Sequence, residues 1–165
     1  PLVLGKAEPR DRPEEEIRGY RQALDLIHTS APDLVITPDL FKRLHGIIQE
    51  GSGDAGQWKQ VDNEIIELRE GAPPLVRFRP VSVKDTPAAV EELCLSYRHT
   101  VNQGEAPPLL AIAALVFDFL CIHPFRDGNG RVSRLLTLLA LYQHGFEAGR
   151  YISLERLVEE SREDY

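Results

Sequence analysis

Apolar positions recur along most of the chain at helical spacing. From Pro13, the stretch EEEIRGYRQALDLI places Ile17, Tyr20, Ala23/Leu24 and Ile27 three or four residues apart, the stripe of an amphipathic helix. Proline and three acids suit its first turn, where a missing N–H costs nothing and the dipole favours negative charge. TPDLFKRLHGIIQE predicts a second helix running to Gly51, with Thr37 as N-cap and Pro38 at the first helical position. After the loop GSGDAGQ the period changes. WKQVDNEIIELREGAPPLVRFRP reads as a short hairpin over about 58–80, with strand-like pieces on either side of the turn EGAPP. Helical spacing returns in TPAAVEELCLSYRHTV, where Thr86 and Pro87 read as a second cap. It continues in PPLLAIAALVFDFLCI, which is apolar nearly all round, as a central buried helix is. VSRLLTLLALYQHG has the same character and ends at Gly145, a C′ glycine. A last helix is expected from Ser153, in SLERLVEESREDY. The pattern predicts one mainly α domain over 1–165, with a central pair of buried helices and an inserted β-hairpin. The Pro start and the end inside a helical pattern predict a piece of a longer chain.

Composition narrows the class. Hydrophobic residues make up 42% of the 165, enough for one sizeable core. With 26 acids against 19 bases the net charge is −7, which argues against a nucleic-acid clamp or a binder of anionic membranes. The apolar run Leu109–Ile122 contains Asp118 and falls short of the ~20 residues a membrane span needs. Cys94 and Cys121 lie in apolar helical contexts and read as two buried free thiols. A cytoplasmic protein of a reducing compartment is expected.

The chemistry concentrates where two apolar helices are interrupted by IHPFRDGNGRVSR, Ile122 to Arg134. Gly128 and Gly130 allow unusual backbone geometry and close approach of a ligand just before a helix N-terminus, where free N–H groups attract an anion. Arg131 and Arg134 fall on one face of that helix and are electrostatically misplaced there unless something negative joins them. A polyphosphate would do so. Asp127 would be repelled by that anion unless a divalent cation stood between them, as Mg²⁺ commonly does. His123 has a pKa suited to taking a proton near neutrality. A Gly-Asn-Gly turn alone reads as structure. Together with His, Asp and both Arg between buried helices, it reads as a nucleotide-transfer or hydrolysis site.

HPFRDGNGRVSR resembles the signature HPFx[D/E]GNGRxxR of the Fic family at every specified position: His123, Pro124, Phe125, Asp127, Gly128, Asn129, Gly130, Arg131 and Arg134. The resemblance implies a helical Fic-type domain whose hairpin is a flap ahead of the motif. It implies a protein adenylyltransferase: AMP passes from ATP to a Ser, Thr or Tyr hydroxyl of a target protein and pyrophosphate leaves. On that pattern His123 is the general base, and Asp127 holds Mg²⁺ between the α- and β-phosphates. Gly128, Asn129 and Gly130 form the anion hole, through backbone N–H groups and the asparagine side chain. Arg131 neutralises the β-phosphate region and Arg134 reaches the γ-phosphate. Phe125 anchors the loop and Pro124 fixes its entry. The flap around Asn63, Glu64, Ile65 and Ile66 covers the nucleotide and aligns the target segment strand to strand, and Tyr165 lines the nucleoside. Alternatives within the same fold are phosphotransfer, another nucleotide monophosphate or phosphocholine donor, removal of AMP, or a toxin paired with an antitoxin. The intact Arg134 and GNG favour adenylylation. Many relatives carry an inhibitory helix with the pattern [S/T]xxxE[G/N], in cis or supplied in trans. No Ser or Thr here begins that pattern, so self-modification with ATP and Mg²⁺ is expected.

Other features read more plainly. His28, His45, His99 and His144 lack ligand spacing and read as surface or satisfied core histidines. Trp58 reads as packing, and Glu14–Glu16 as a solvated helix start. Asp118 either caps a polar network or faces a cleft.

Overall fold

The computed structural model describes residues 12–69 and 71–146, with side-chain surroundings from residue 17 onward except at 68, 69, 72 and 74. Tyr165 and the helix expected from Ser153 lie outside the described residues. The elements are α1 (Arg12–Ser30), a 3-10 turn (Ala31–Asp33), α2 (Pro38–Ile48), β1 (Ile65–Arg69), β2 (Ala72–Phe78), α3 (Thr86–Gln103), α4 (Pro108–Ile122) and α5 (Asn129–Gln143). The protein is mainly α with a single antiparallel hairpin among the described residues.

The stripe predicted on α1 buries Ala23 and Ile27, while Ile17 at its start stays exposed. α1 crosses α2 at Gly19, where a Cβ would stand 2.4 Å from the carbonyl oxygen of Ile47. Only a residue without a side chain lets the two backbones come so close. Thr37 caps α2 as expected, its hydroxyl accepting from the Leu40 N–H at 3.2 Å. The helix stops at Ile48 rather than at Gly51. Gln49 donates its N–H to the His45 carbonyl as the C-cap, and Gly51 takes a positive φ of 87° beyond it. Ile48 is the last position of the apolar stripe, so nothing holds a further turn against the core.

α3 begins one residue earlier than the Thr86 cap predicts. Thr86 lies inside the first turn and donates to the Ser82 carbonyl at 2.7 Å, while Asp85 takes the N-cap position. A serine–aspartate turn, with the Ser82 hydroxyl donating to the Asp85 carboxylate at 2.7 Å, sets the entry.

The hairpin pairs Ile65 with Phe78, Ile66 with Val76, Glu67 with Leu75 and Arg69 with Ala72, with two irregularities in register. The turn is tighter than EGAPP, because Ala72–Pro74 already belong to β2 and Gly71 supplies the positive φ at the tip. Prolines fit there because each strand of a two-stranded ribbon has an unpaired edge. Ile65, Ile66, Leu75, Val76 and Phe78 are all substantially exposed.

α5 is the most enclosed helix, packed against α1, α2 and α4 and burying Val132, Leu135, Leu136, Leu138, Leu139 and Ala140. α4 buries Ala111, Ile112, Leu115, Phe119 and Ile122 along one stripe. Its other face, unlike the all-round apolar pattern, leaves Leu109, Leu110 and Phe117 exposed. Asp118 lies on that open side and faces a shallow cleft with Ser96, Tyr97 and Thr100. Cys94 is buried and Cys121 half-buried, and both are free thiols. Among the described residues no helix is long and apolar enough to cross a membrane.

Candidate active site

The motif loop is folded around one phenylalanine. α4 closes on His123, which adopts a left-handed conformation (φ 50°, ψ 60°) and gives its N–H to the Phe119 carbonyl at 2.9 Å. For an L-residue that conformation costs roughly 1–2 kcal/mol, and such strain collects at functional sites. The reversal sends Pro124 and Phe125 inward. Phe125 is fully buried, stacked on His45 at 3.9 Å between ring centroids, with Trp58 at 5.0 Å and Phe119 at 6.3 Å. Trp58 therefore packs, as expected, and Lys42 lies over its outer face.

Asn129 closes the loop. Its side-chain oxygen accepts from the Phe125 N–H at 3.0 Å and its amide donates to the Phe125 carbonyl at 2.8 Å, all of it buried. The side-chain oxygen and one amide N–H of Asn129 thus brace the loop, and its main chain opens α5, where free N–H groups can face an anion.

Asp127 is held by the loop and by α2. One carboxylate oxygen accepts from the Gly128 N–H at 2.6 Å; the other faces Gln49 at 3.4 Å and Arg131 at 3.5 Å. Its side chain remains well exposed, able to offer oxygen to a cation. The Asp127 carbonyl accepts from Nε2 of His45 at 3.1 Å, while Nδ1 of the same ring accepts from the Gly56 N–H at 2.9 Å. A ring that accepts at Nδ1 and donates at Nε2 is the neutral Nε2–H tautomer. Burial lowers the His45 pKa, in agreement.

The α5 N-terminus carries the anion-directed groups. Gly128 takes φ 79°, and a Cβ there would press on Gln49 at 3.2 Å. A Cβ at Gly130 would meet only the Arg134 guanidinium, at 3.6 Å, so glycine keeps the approach to that arginine open. Arg131 and Arg134 are half-buried one turn apart. The Nε of Arg134 is buried with no hydrogen-bond partner among the described residues. A buried donor left unpaired costs about 1–3 kcal/mol, and an anion entering the loop would relieve that cost. The residues present thus fit a polyphosphate and, through Asp127, a divalent cation.

His123 is half-buried, and burial pushes its pKa below 6.5. The Leu120 carbonyl opposes that shift, the Lys59 charge adds to it, and Asp127 opposes it. The imidazole is neutral near pH 7 and can accept a proton.

Of the flap residues, Asn63 reaches the loop, donating to the Phe125 carbonyl at 3.2 Å. Glu64 pairs with Arg79 across the ribbon at 3.0 Å, and Ile65 and Ile66 stand exposed on β1. His45, Gln49 and Lys59 also support the loop, and no local pattern singles them out. Their partners lie 82, 78 and 63 positions away in sequence.

A model of the Fic/DOC family matches residues 35–141, from just before α2 to the last turn of α5. The chain belongs to the Fic/DOC family. It is 38% identical over 65 residues to a Fido domain-containing protein of Dictyostelium discoideum, across 37% of this chain and 46% of that protein. It superposes on a Fic domain containing signaling protein of Bacteroides thetaiotaomicron with a TM-score of 0.72 at 27% identity, covering 87% of this chain and 54% of the other. A Fic family protein of Desulfovibrio desulfuricans shares the fold, with a TM-score of 0.76 at 20% identity over 99% of this chain and 47% of that one. The Fic domain thus spans about half the length of the relatives it matches. Fic and Fido proteins are commonly transferases.

Proposed function

We propose that this Fic domain is a protein adenylyltransferase, moving AMP from ATP to a hydroxyl of a target protein. The observation that carries this reading is the buried, unpartnered Nε of Arg134 at the start of α5, in one loop with a neutral His123. The Arg134 guanidinium lies beside Gly130, so an anion held at the start of α5 would come within its reach. His123 takes the hydroxyl proton as the oxygen forms its bond to the α-phosphorus. The bond from that phosphorus to pyrophosphate breaks, with Arg131 and Arg134 holding the negative charge. Mg²⁺, held by Asp127 and the phosphates, would neutralise charge on the leaving group. The exposed β1 edge of the flap offers main-chain groups to an extended target segment by strand addition.

ATP labelled at the α- or at the γ-phosphate separates the readings, with Mg²⁺ and the chain itself or an added protein mixture as acceptor. Label retained from α and not from γ is expected, and His123→Ala should remove it while circular dichroism stays unchanged. Label retained from γ alone would replace this reading with phosphotransfer.

A further inference from the structure

Lys59 is only 2% exposed, yet it carries an ammonium group. Its main-chain N–H donates to the Pro124 carbonyl at 2.8 Å, and its Nζ donates to the Ile122 carbonyl at 3.1 Å. Those are the carbonyls immediately before and after His123. One of them belongs to the last turn of α4, whose carbonyls have no partner within the helix. Among the described residues no carboxylate lies within ion-pair distance of this ammonium. Asp62, the acid whose charge acts on it, is occupied by the Val83 N–H at 2.7 Å. A lysine that only filled space would be poorly matched to such a place, since an apolar residue of similar volume packs there without the cost of burying charge.

We propose that Lys59 is a positioning residue for His123: it grips the backbone on both sides of the imidazole and holds the left-handed turn that aims it. The same segment continues through Asn63 on the Phe125 carbonyl into β1, so one strip of chain fixes the base and roots the flap. Lys59 also places positive charge near the imidazole. Around His123, Lys59 disfavours protonation, whereas Asp127 and the Leu120 carbonyl favour it. The activity part of this assignment rests on the adenylyltransferase reading; the positioning part does not.

The test compares the unaltered chain with Lys59→Met, which keeps the stem, and Lys59→Arg, which keeps charge and donor. The readouts are the His123 titration by ¹⁵N-histidine NMR and the kinetics of AMP transfer. In Lys59→Met, His123 should titrate at higher pH than in the unaltered chain. There kcat should fall about tenfold or more while the KM for ATP stays within about twofold, the pattern of a misaimed base rather than a lost ligand contact. Lys59→Arg should restore most of both. An unmoved His123 titration in folded Lys59→Met would overturn the proposal. So would a loss confined to KM, or Lys59→Arg behaving like Lys59→Met. Should Lys59→Met not fold, Lys59→Gln keeps a donor for the Ile122 carbonyl without charge, and its titration is judged by the same criteria. If the unaltered chain transfers no AMP, the adenylyltransferase reading fails, and the titrations alone decide the role of Lys59.

Discussion

His45 lies flat on Phe125, ring centroids 3.9 Å apart and planes within 2° of parallel. The same imidazole takes the Gly56 N–H and gives its own proton to the Asp127 carbonyl. One side chain of α2 thus floors the motif loop, fixes the turn after α2 and sets the main chain of the candidate metal-binding acid. It does so only while neutral, because a protonated ring could not accept from Gly56.

Stability should therefore fall with pH through this histidine. Burial holds its folded pKa below the ordinary 6.5, so the unfolded chain binds the proton first as pH drops. The contribution is complete above 6.5 and is lost as pH falls from there toward the folded pKa. His123 is shifted in the same direction and adds to the slope. Melting temperatures between about pH 7.5 and 5 should decline, and His45→Gln should show a shallower decline. An equal slope in the variant would remove His45 from the account.

Asn129→Ala should destabilise the fold by about 1–3 kcal/mol, since it leaves the buried Phe125 N–H without its acceptor, while the Phe125 carbonyl keeps only Asn63. Urea denaturation measures the loss. Ligand binding in the surviving folded fraction should also weaken, because the backbone at the start of α5 is no longer pinned to Phe125.

Arg134→Met should separate binding from stability. Losing a charge-assisted bond to phosphate costs about 1.5–3 kcal/mol, which is roughly 10- to 150-fold in affinity for ATP. The melting temperature without nucleotide should hold or rise, because the variant removes a buried donor that had no partner. Binding of a fluorescent ATP analogue, read beside thermal melts, checks both halves. A variant that loses stability and keeps affinity would assign Arg134 to packing.

Gly19→Ala should cost about 1–3 kcal/mol or more as an overpacking change, because its methyl would meet the Ile47 backbone rather than a side chain that could move. Chemical denaturation should detect it, while Gly53→Ala, where a Cβ meets nothing within 4 Å, should be nearly silent.

The reactive groups of the site were legible because they sit in one short run of chain, and their chemistry follows from residue type and spacing alone. Helices with a one-sided stripe and a local cap, such as α2 from Thr37, were legible for the same reason. What supports the loop was not. His45 reads as an ordinary core histidine, which it is, and nothing near it in sequence tells that its partner is the Asp127 carbonyl. Nothing in the sequence singles out Lys59, because its burial depends on α4 ending where it does. Thr86 falls one residue inside the helix because the entry to α3 is set by Ser82 and Asp85, whose side chains bond to each other across the turn. The open face of α4 escaped because hydropathy records what a helix could bury, not which neighbours arrive to cover it.

The bracing of the loop by α2, by Lys59 and Asn63, and by Asn129 also bears on transplantation. Moved alone onto another pair of helices, His123 through Arg134 would carry every reactive group and little of the geometry. Phe125 would lose the ring beneath it, and the carbonyls beside His123 would turn to water. A portable version of this centre begins near Thr37 and includes the chain through Asn63; the motif by itself is a composition, and the site is an assembly.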